Sequence, residues 1–170
     1  MKRAMFVTFA LFVFAIASAA QSSPANNEFF SWSGELVALD AASHTLSVKA
    51  PVVYEETLAA FGRLKAGERV MLTWSGYDKF ADAIRAVKPM AAAGSTAARF
   101  SFPAEFVTFD KDHRYATFKV QIPESGIDKL RLLKPGEWVT ATSPHGQSSK
   151  TTPVTAVRPY VETASAVSSN

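Results

Sequence analysis

The chain predicts a mostly β protein with short helices, built as two tandem copies of one strand–strand–helix–strand–strand unit. Three observations carry this expectation. The stretch Leu64-Lys65-Ala66-Gly67-Glu68-Arg69-Val70 returns as Leu133-Lys134-Pro135-Gly136-Glu137-Trp138-Val139. The segments on either side of it alternate apolar and polar residues, as half-buried strands do. An apolar N-terminal leader in a chain without cysteine marks an exported protein whose stability must come from burial and not from disulfides.

The leader comes first in order. Lys2 and Arg3 precede an apolar run from Ala4 to Ala17, and small residues follow at Ser18, Ala19 and Ala20. That order predicts a signal peptide over residues 1–20, cleaved after Ala19 or Ala20. The run is short for a membrane span, which needs roughly 20 apolar residues; an uncleaved anchor is the alternative. Losing Lys2 and Arg3 lowers the formal charge from +3 to +1. A nearly neutral mature chain has no basic face for a phosphate backbone, so nucleic acid is not an expected partner.

Residues 21 to 28 are small and polar and read as a lead into the first strand, Phe29 to Leu39. At an offset of 70 its counterpart is Arg99 to Phe109. Phe30, Trp32 and Leu36 share one face, as do Phe100, Phe102 and Phe106, but Val37, Leu39, Val107 and Phe109 then turn apolar side chains to the other face. A strand whose apolar side changes midway is bent, and Gly34 and Ala104 are the easiest places for the bend. Turn-like Asp40–His44 and Asp110–Arg114 lead to second strands, Thr45–Ala50 and Tyr115–Ile122, completing hairpins.

Short helices follow Pro51 and Pro123. Leu58, Phe61 and Leu64 match Ile127, Leu130 and Leu133 at an offset of 69, which keeps one apolar stripe. Ser125 and Asp128 have the spacing of a capping box. In the repeated turn, the glycine supplies the positive φ that closes the helix end, and the valine begins the next strand. Third strands run Val70–Ser75 and Val139–Ser143, and final strands Ala83–Pro89 and Val154–Pro159. The repeat units are therefore 29–90 and 99–161, joined by a linker at 91–98 and followed by a flexible tail at 162–170.

Gly34-Glu35-Leu36-Val37-Ala38-Leu39-Asp40, Thr45-Leu46-Ser47-Val48, the Leu64–Val70 turn and Ala83-Ile84-Arg85-Ala86-Val87, in that order, resemble exported OB-type small barrels. Their order of elements is similar to that of periplasmic copper-chaperone barrels. The resemblance implies two tandem small OB-like barrels, each closed by a short helix. Those copper barrels carry Trp, Met and His on neighbouring strands after a Pro-containing stretch; Ala50 to Thr57 contains none of the three, so no copper ligand carries over. Gln121-Ile122-Pro123-Glu124-Ser125 leading to the second turn looks like cradle-loop, swapped-hairpin barrels, with Glu in place of Asp. That resemblance implies the alternative of one interleaved barrel made by both repeats.

No nucleophile elbow, zinc-binding His pair or other catalytic motif is present, so the chain reads as non-enzymatic and needing no cofactor. Asp110, Asp112 and His113 in one hairpin turn, with His44 in the equivalent turn, are the residues that a metal would use. A turn rich in Asp, Lys and His is much more often simply solvated. His145 sits in the most polar and divergent loop, where binding residues collect. Trp74 and Tyr77, near Trp32 and Phe80, would stack on a ligand if they faced outward, although Val70-Leu72-Trp74 alternation points Trp74 to the core. Glu35 and Glu105 take equivalent polar-face positions. The expected role is a periplasmic or secreted binding or scaffolding module of the cell envelope, without a membrane span once the leader is removed. Its expected partner is an envelope protein, a peptide or a polysaccharide, and the alternative role is metal handling of the copper type.

Overall fold

The computed structural model describes residues 29–75, 83–92, 98–146 and 151–161. The expected leader, the tail at 162–170, most of the linker, Tyr77 and Phe80 lie outside them. In chain order the elements are β1 (Phe29–Asp40), β2 (Thr45–Pro51), α1 (Glu55–Phe61), β3 (Arg69–Trp74), β4 (Ile84–Pro89), β5 (Ser101–Asp110), β6 (Tyr115–Gln121), α2 (Glu124–Leu130), β7 (Trp138–Pro144) and β8 (Ala156–Pro159). A single 3₁₀ turn, Met90–Ala92, follows β4. No helix among the described residues is long and apolar enough to cross a membrane.

Each repeat folds its first two strands into a hairpin, β1 on β2 and β5 on β6. Asp40 closes the first turn by accepting the N–H groups of Ala42 at 2.9 Å and Ser43 at 3.1 Å. Asp110 does the same for His113 at 3.0 Å. The bend expected at Gly34 and Ala104 lies farther along. The register slips between Leu36 and Ala38, and between Phe106 and Thr108, so Val37 and Val107 are inserted bulge residues. One extra residue reverses the alternation, which is why the apolar side of both strands changes there. Gly34 answers a different need: a Cβ at that position would stand 2.2 Å from Val48 Cγ1.

The repeated turn also works differently from the sequence expectation. The helices end at Phe61 and Leu130, well before the glycines, so Gly67 and Gly136 cap no helix. They do hold positive φ, +84° and +94°. Gly67 N–H donates to Phe106 O and Phe106 N–H to Glu68 O, both at 2.8 Å; Gly136 N–H donates to Leu36 O and Leu36 N–H to Glu137 O, again at 2.8 Å. Each turn thus grips the other repeat's first strand at the edge of its bulge. Glu68 shapes its turn by accepting Lys65 N–H at 3.1 Å, and Glu137 accepts the N–H of Lys134. The capping box at Ser125 does not form: Pro123 is the N-cap, without a side-chain cap bond, and Asp128 pairs with Arg131.

Those grips set the topology. All eight strands form a single antiparallel sheet in the order β4-β3-β5-β6-β2-β1-β7-β8. Strand β3 of the first repeat lies beside β5 of the second, and β7 of the second beside β1 of the first. The expected pair of separate barrels is therefore replaced by one open sheet. The interleaved alternative has the nearer strand order, but the sheet is not closed, and β4 and β8 are its edges. Among the described residues β4 also makes an isolated parallel bridge, Val52 with Ile84. Alternation reveals strands but not their partners, and the partner of β3 is settled by a contact some thirty residues along the chain.

The inner face curls around one core. Trp32 on β1 and Phe102 on β5, with two strands between them in the sheet, stack at 4.6 Å with planes 4° apart. Trp74 lies 5.4 Å from Trp32, and Phe118 lies 5.8 Å from it. All four rings are essentially inaccessible, each contributing roughly 1.5–3 kcal/mol of burial. Trp32 Nε1 donates to Ser143 Oγ at 2.9 Å. Trp74 Nε1, equally buried, has no acceptor among the described residues.

Candidate functional site

The residues proposed from sequence do not meet. Strands β2 and β6 run antiparallel with Thr45 opposite Gln121 and Pro51 opposite Tyr115, so their hairpin turns stand at opposite ends of the ladder. Six residues of strand separate them, about 20 Å. His44 is thereby parted from Asp110, Asp112 and His113. Within that second turn the His113 ring donates from Nδ1 to Asp110 Oδ2 at 2.8 Å. The backbone N–H of His113, and then its ring, hold the Asp110 carboxyl below its ordinary range. No cluster of three potential metal ligands occurs among the described residues.

Trp74 is core, 1% exposed, and Tyr77 lies outside the described residues. His145 is half-buried, and its ring stacks on Phe30 at 4.9 Å and meets Phe100 edge-on at 4.3 Å. Its Nδ1 accepts the Phe100 N–H at 3.2 Å, which binds the end of β7 to the start of β5 and supports Phe100 in its left-handed conformation, φ +58°. Glu35 and Glu105 bind Lys49 and Lys119, at 2.8 and 3.4 Å, on the outer face of the sheet.

What the structure does assemble is a cleft of about 700 Å³ between α1 and the second half of β5. Helix α1 belongs to the first repeat and β5 to the second, so the strand exchange creates this juxtaposition. Phe61 forms the floor, stacked on Phe109 at 5.3 Å and 5.8 Å from Phe106. Leu58, Leu64 and Val107 form half-buried walls, while Ala59, Gly62 and Ala66 line it with little bulk. The helix is fixed at its first turn. Thr57 Oγ1 donates to Arg85 O on β4, and Glu55 pairs at 2.8 Å with Arg114 after the β5–β6 turn. Glu55 and Lys111 give the apolar cleft one charge of each sign at its rim.

The second half of the molecule shows what the same fold looks like with other residues there. At the equivalent positions Phe61, Phe106 and Phe109 are replaced by Leu130, Leu36 and Leu39, and Ala59 and Gly62 by Asp128 and Arg131, which form an ion pair. Aromatic rings over an uncrowded helix are therefore a property of one half and not a demand of the fold. Sequence reading took Phe61 and Phe106 as core, and both are buried, with the cleft above them. The signal that distinguishes them is the loss of aromatics between repeats, and it gains meaning only once α1 and β5 are known to face each other.

No family model, curated protein or solved structure matches this chain.

Proposed function

We propose that the chain is a non-enzymatic binding module of the cell envelope, and that the α1–β5 cleft holds large apolar side chains of a peptide or protein partner. The single observation that carries this is the aromatic floor of Phe61, Phe106 and Phe109 in one half of a duplicated fold whose other half manages without it. A cleft along a helix, apolar in its walls and open along one side, suits an extended segment laid across it better than an enclosed small molecule. Glu55 and Lys111 at the rim suit a partner whose apolar anchors are flanked by charges. Asp40 and Asp110, whose carboxyls are held below their ordinary acidity range, lie in exposed hairpin turns and not in the cleft. Placement in the envelope rests on the leader, Lys2 to Ala20.

An OB-like character for the first half belongs to the same proposal. Passing from β5 to β6, to β2, through the Val52–Ile84 bridge to β4, and by β3 back to β5 gives a ring of five neighbours with α1 between its first and second strands in chain order. OB-type rings bind on one face and its loops.

The test uses residues that this fold already accommodates. Ala59→Asp with Gly62→Arg copies Asp128 and Arg131 into the cleft. Peptides selected from a random displayed library on the wild-type protein are expected to carry paired aromatic or aliphatic residues and to bind this variant at least about tenfold more weakly, roughly 1.4 kcal/mol. Selected peptides that bind both proteins equally would remove the cleft from the function.

A further inference from the structure

A different surface, on the outer face of β8, β7 and β1, carries a second binding reading. Successive residues of a strand point to opposite sides, so Phe29, Ser31, Ser33 and Glu35 of β1 face outward together. Opposite them on β7 stand Pro144, Thr142, Thr140 and Trp138. On β8, Ala156 faces Thr142 and Arg158 faces Thr140. Tyr160 prolongs that edge, its N–H bound to Trp138 O at 2.9 Å. The face is thus a set of rows with an exposed aromatic at each end: Phe29, 51% exposed, and the pair Trp138 and Tyr160, 36% and 43% exposed with ring centroids 6.1 Å apart. Between the ends, over about 20 Å of strand, Ser31 and Arg158 are exposed and Thr142 is half-buried, while Ser33 and Thr140 are buried and bonded to each other at 3.3 Å.

We propose that this face binds a neutral polysaccharide chain. Sugar rings present an apolar C–H face, which stacks on an aromatic ring, and an edge of hydroxyls, which needs donors and acceptors; the terminal aromatics with Ser31, Thr142 and Arg158 between them supply both. A peptide would gain less here, because β7 and β1 are interior strands whose backbone groups are already used in the sheet, and among the described residues β8 is the edge on this side that is left for strand addition. The fold does not impose these residues. At the equivalent places in the other half, Phe29 is Arg99, Trp138 is Arg69, Tyr160 is Met90, Thr140 is Met71 and Ser33 is Pro103, and that half builds the same strands.

Trp138 also provides the probe, since Trp32 and Trp74 are buried and Trp138 is the exposed indole of the three. The protein without its leader would be titrated with cellohexaose and chitohexaose while tryptophan emission is followed, and sedimented with insoluble chitin. Saturable binding to at least one of these is expected. It should weaken by about tenfold or more in Trp138→Arg, which copies Arg69 and so leaves the strand foldable, and in Tyr160→Ala. The cleft variant Ala59→Asp/Gly62→Arg should bind the glycan as the wild type does, which separates this proposal from the preceding one. Absence of binding to all three probes, or binding that survives Trp138→Arg, overturns it.

Discussion

Ser143 and Trp74 occupy the same position in the two repeats, and so do Phe102 and Trp32. One indole therefore stands where it finds a hydroxyl and another where it does not. Trp32 donates to Ser143 Oγ, whose own proton goes to Pro153 O, whereas Trp74 Nε1 is buried without an acceptor among the described residues. Replacing either indole by Phe removes a similar volume from the same aromatic cluster, so the difference between the two variants isolates the hydrogen bond. Trp32→Phe is expected to cost about 1 kcal/mol more than Trp74→Phe in urea denaturation; equal costs would mean that the Ser143 contact contributes nothing. At this scale the sequence was partly readable. Alternation pointed Trp74 inward, and the positive φ of Gly67 and Gly136 followed from glycine itself. The partners of the turn glycines and of Trp32 were hidden, because each belongs to the other repeat.

Elements formed by neighbouring residues were the most legible. Both hairpins, both helices and the apolar stripes follow from short-range patterns, and the change of apolar face in β1 and β5 correctly signalled a disturbance. Its cause was not legible: Gly34 attracted the bend, while the register slip occurs at Val37, where the turn of the other repeat grips the strand. The hairpin turns have their own dependence on acidity. Asp40 is held below its ordinary value of 3.8 by the Ser43 hydroxyl and then the Ser43 N–H. Asp110 is held below it by the His113 N–H and then its ring. A carboxyl more acidic in the folded state than in the unfolded one stabilises the fold fully above the unfolded value, and this contribution is lost as the pH falls below it. The double variant Asp40→Ala/Asp110→Ala is therefore expected to melt at a lower temperature than wild type at neutral pH. Its melting temperature should also fall less steeply below about pH 4. A parallel fall in both proteins, followed by circular dichroism, would place the acid sensitivity elsewhere.

For the whole molecule, the strand order is the part that sequence could not supply. Repetition was plain, but the same repeat pattern is compatible with two separate units or with exchanged strands. The choice is made by long-range ladders, β3 on β5 and β7 on β1. The cleft follows from that choice, since it brings a helix of one repeat to a strand of the other. Cutting the chain inside 91–98 tests the exchange directly. Fragments 21–94 and 95–170, produced together, are expected to purify as a one-to-one complex with the circular dichroism of the intact chain. Two folded, independent monomers would contradict the interleaved sheet. The mutual grip of the turns also has a consequence in time. The chain is made from its N-terminus, and β3, with the turn that precedes it, has no strand to hold until β5 emerges. The first repeat must therefore wait, incomplete, for the second, and native structure can be sealed only when both first strands and both turns are available at once.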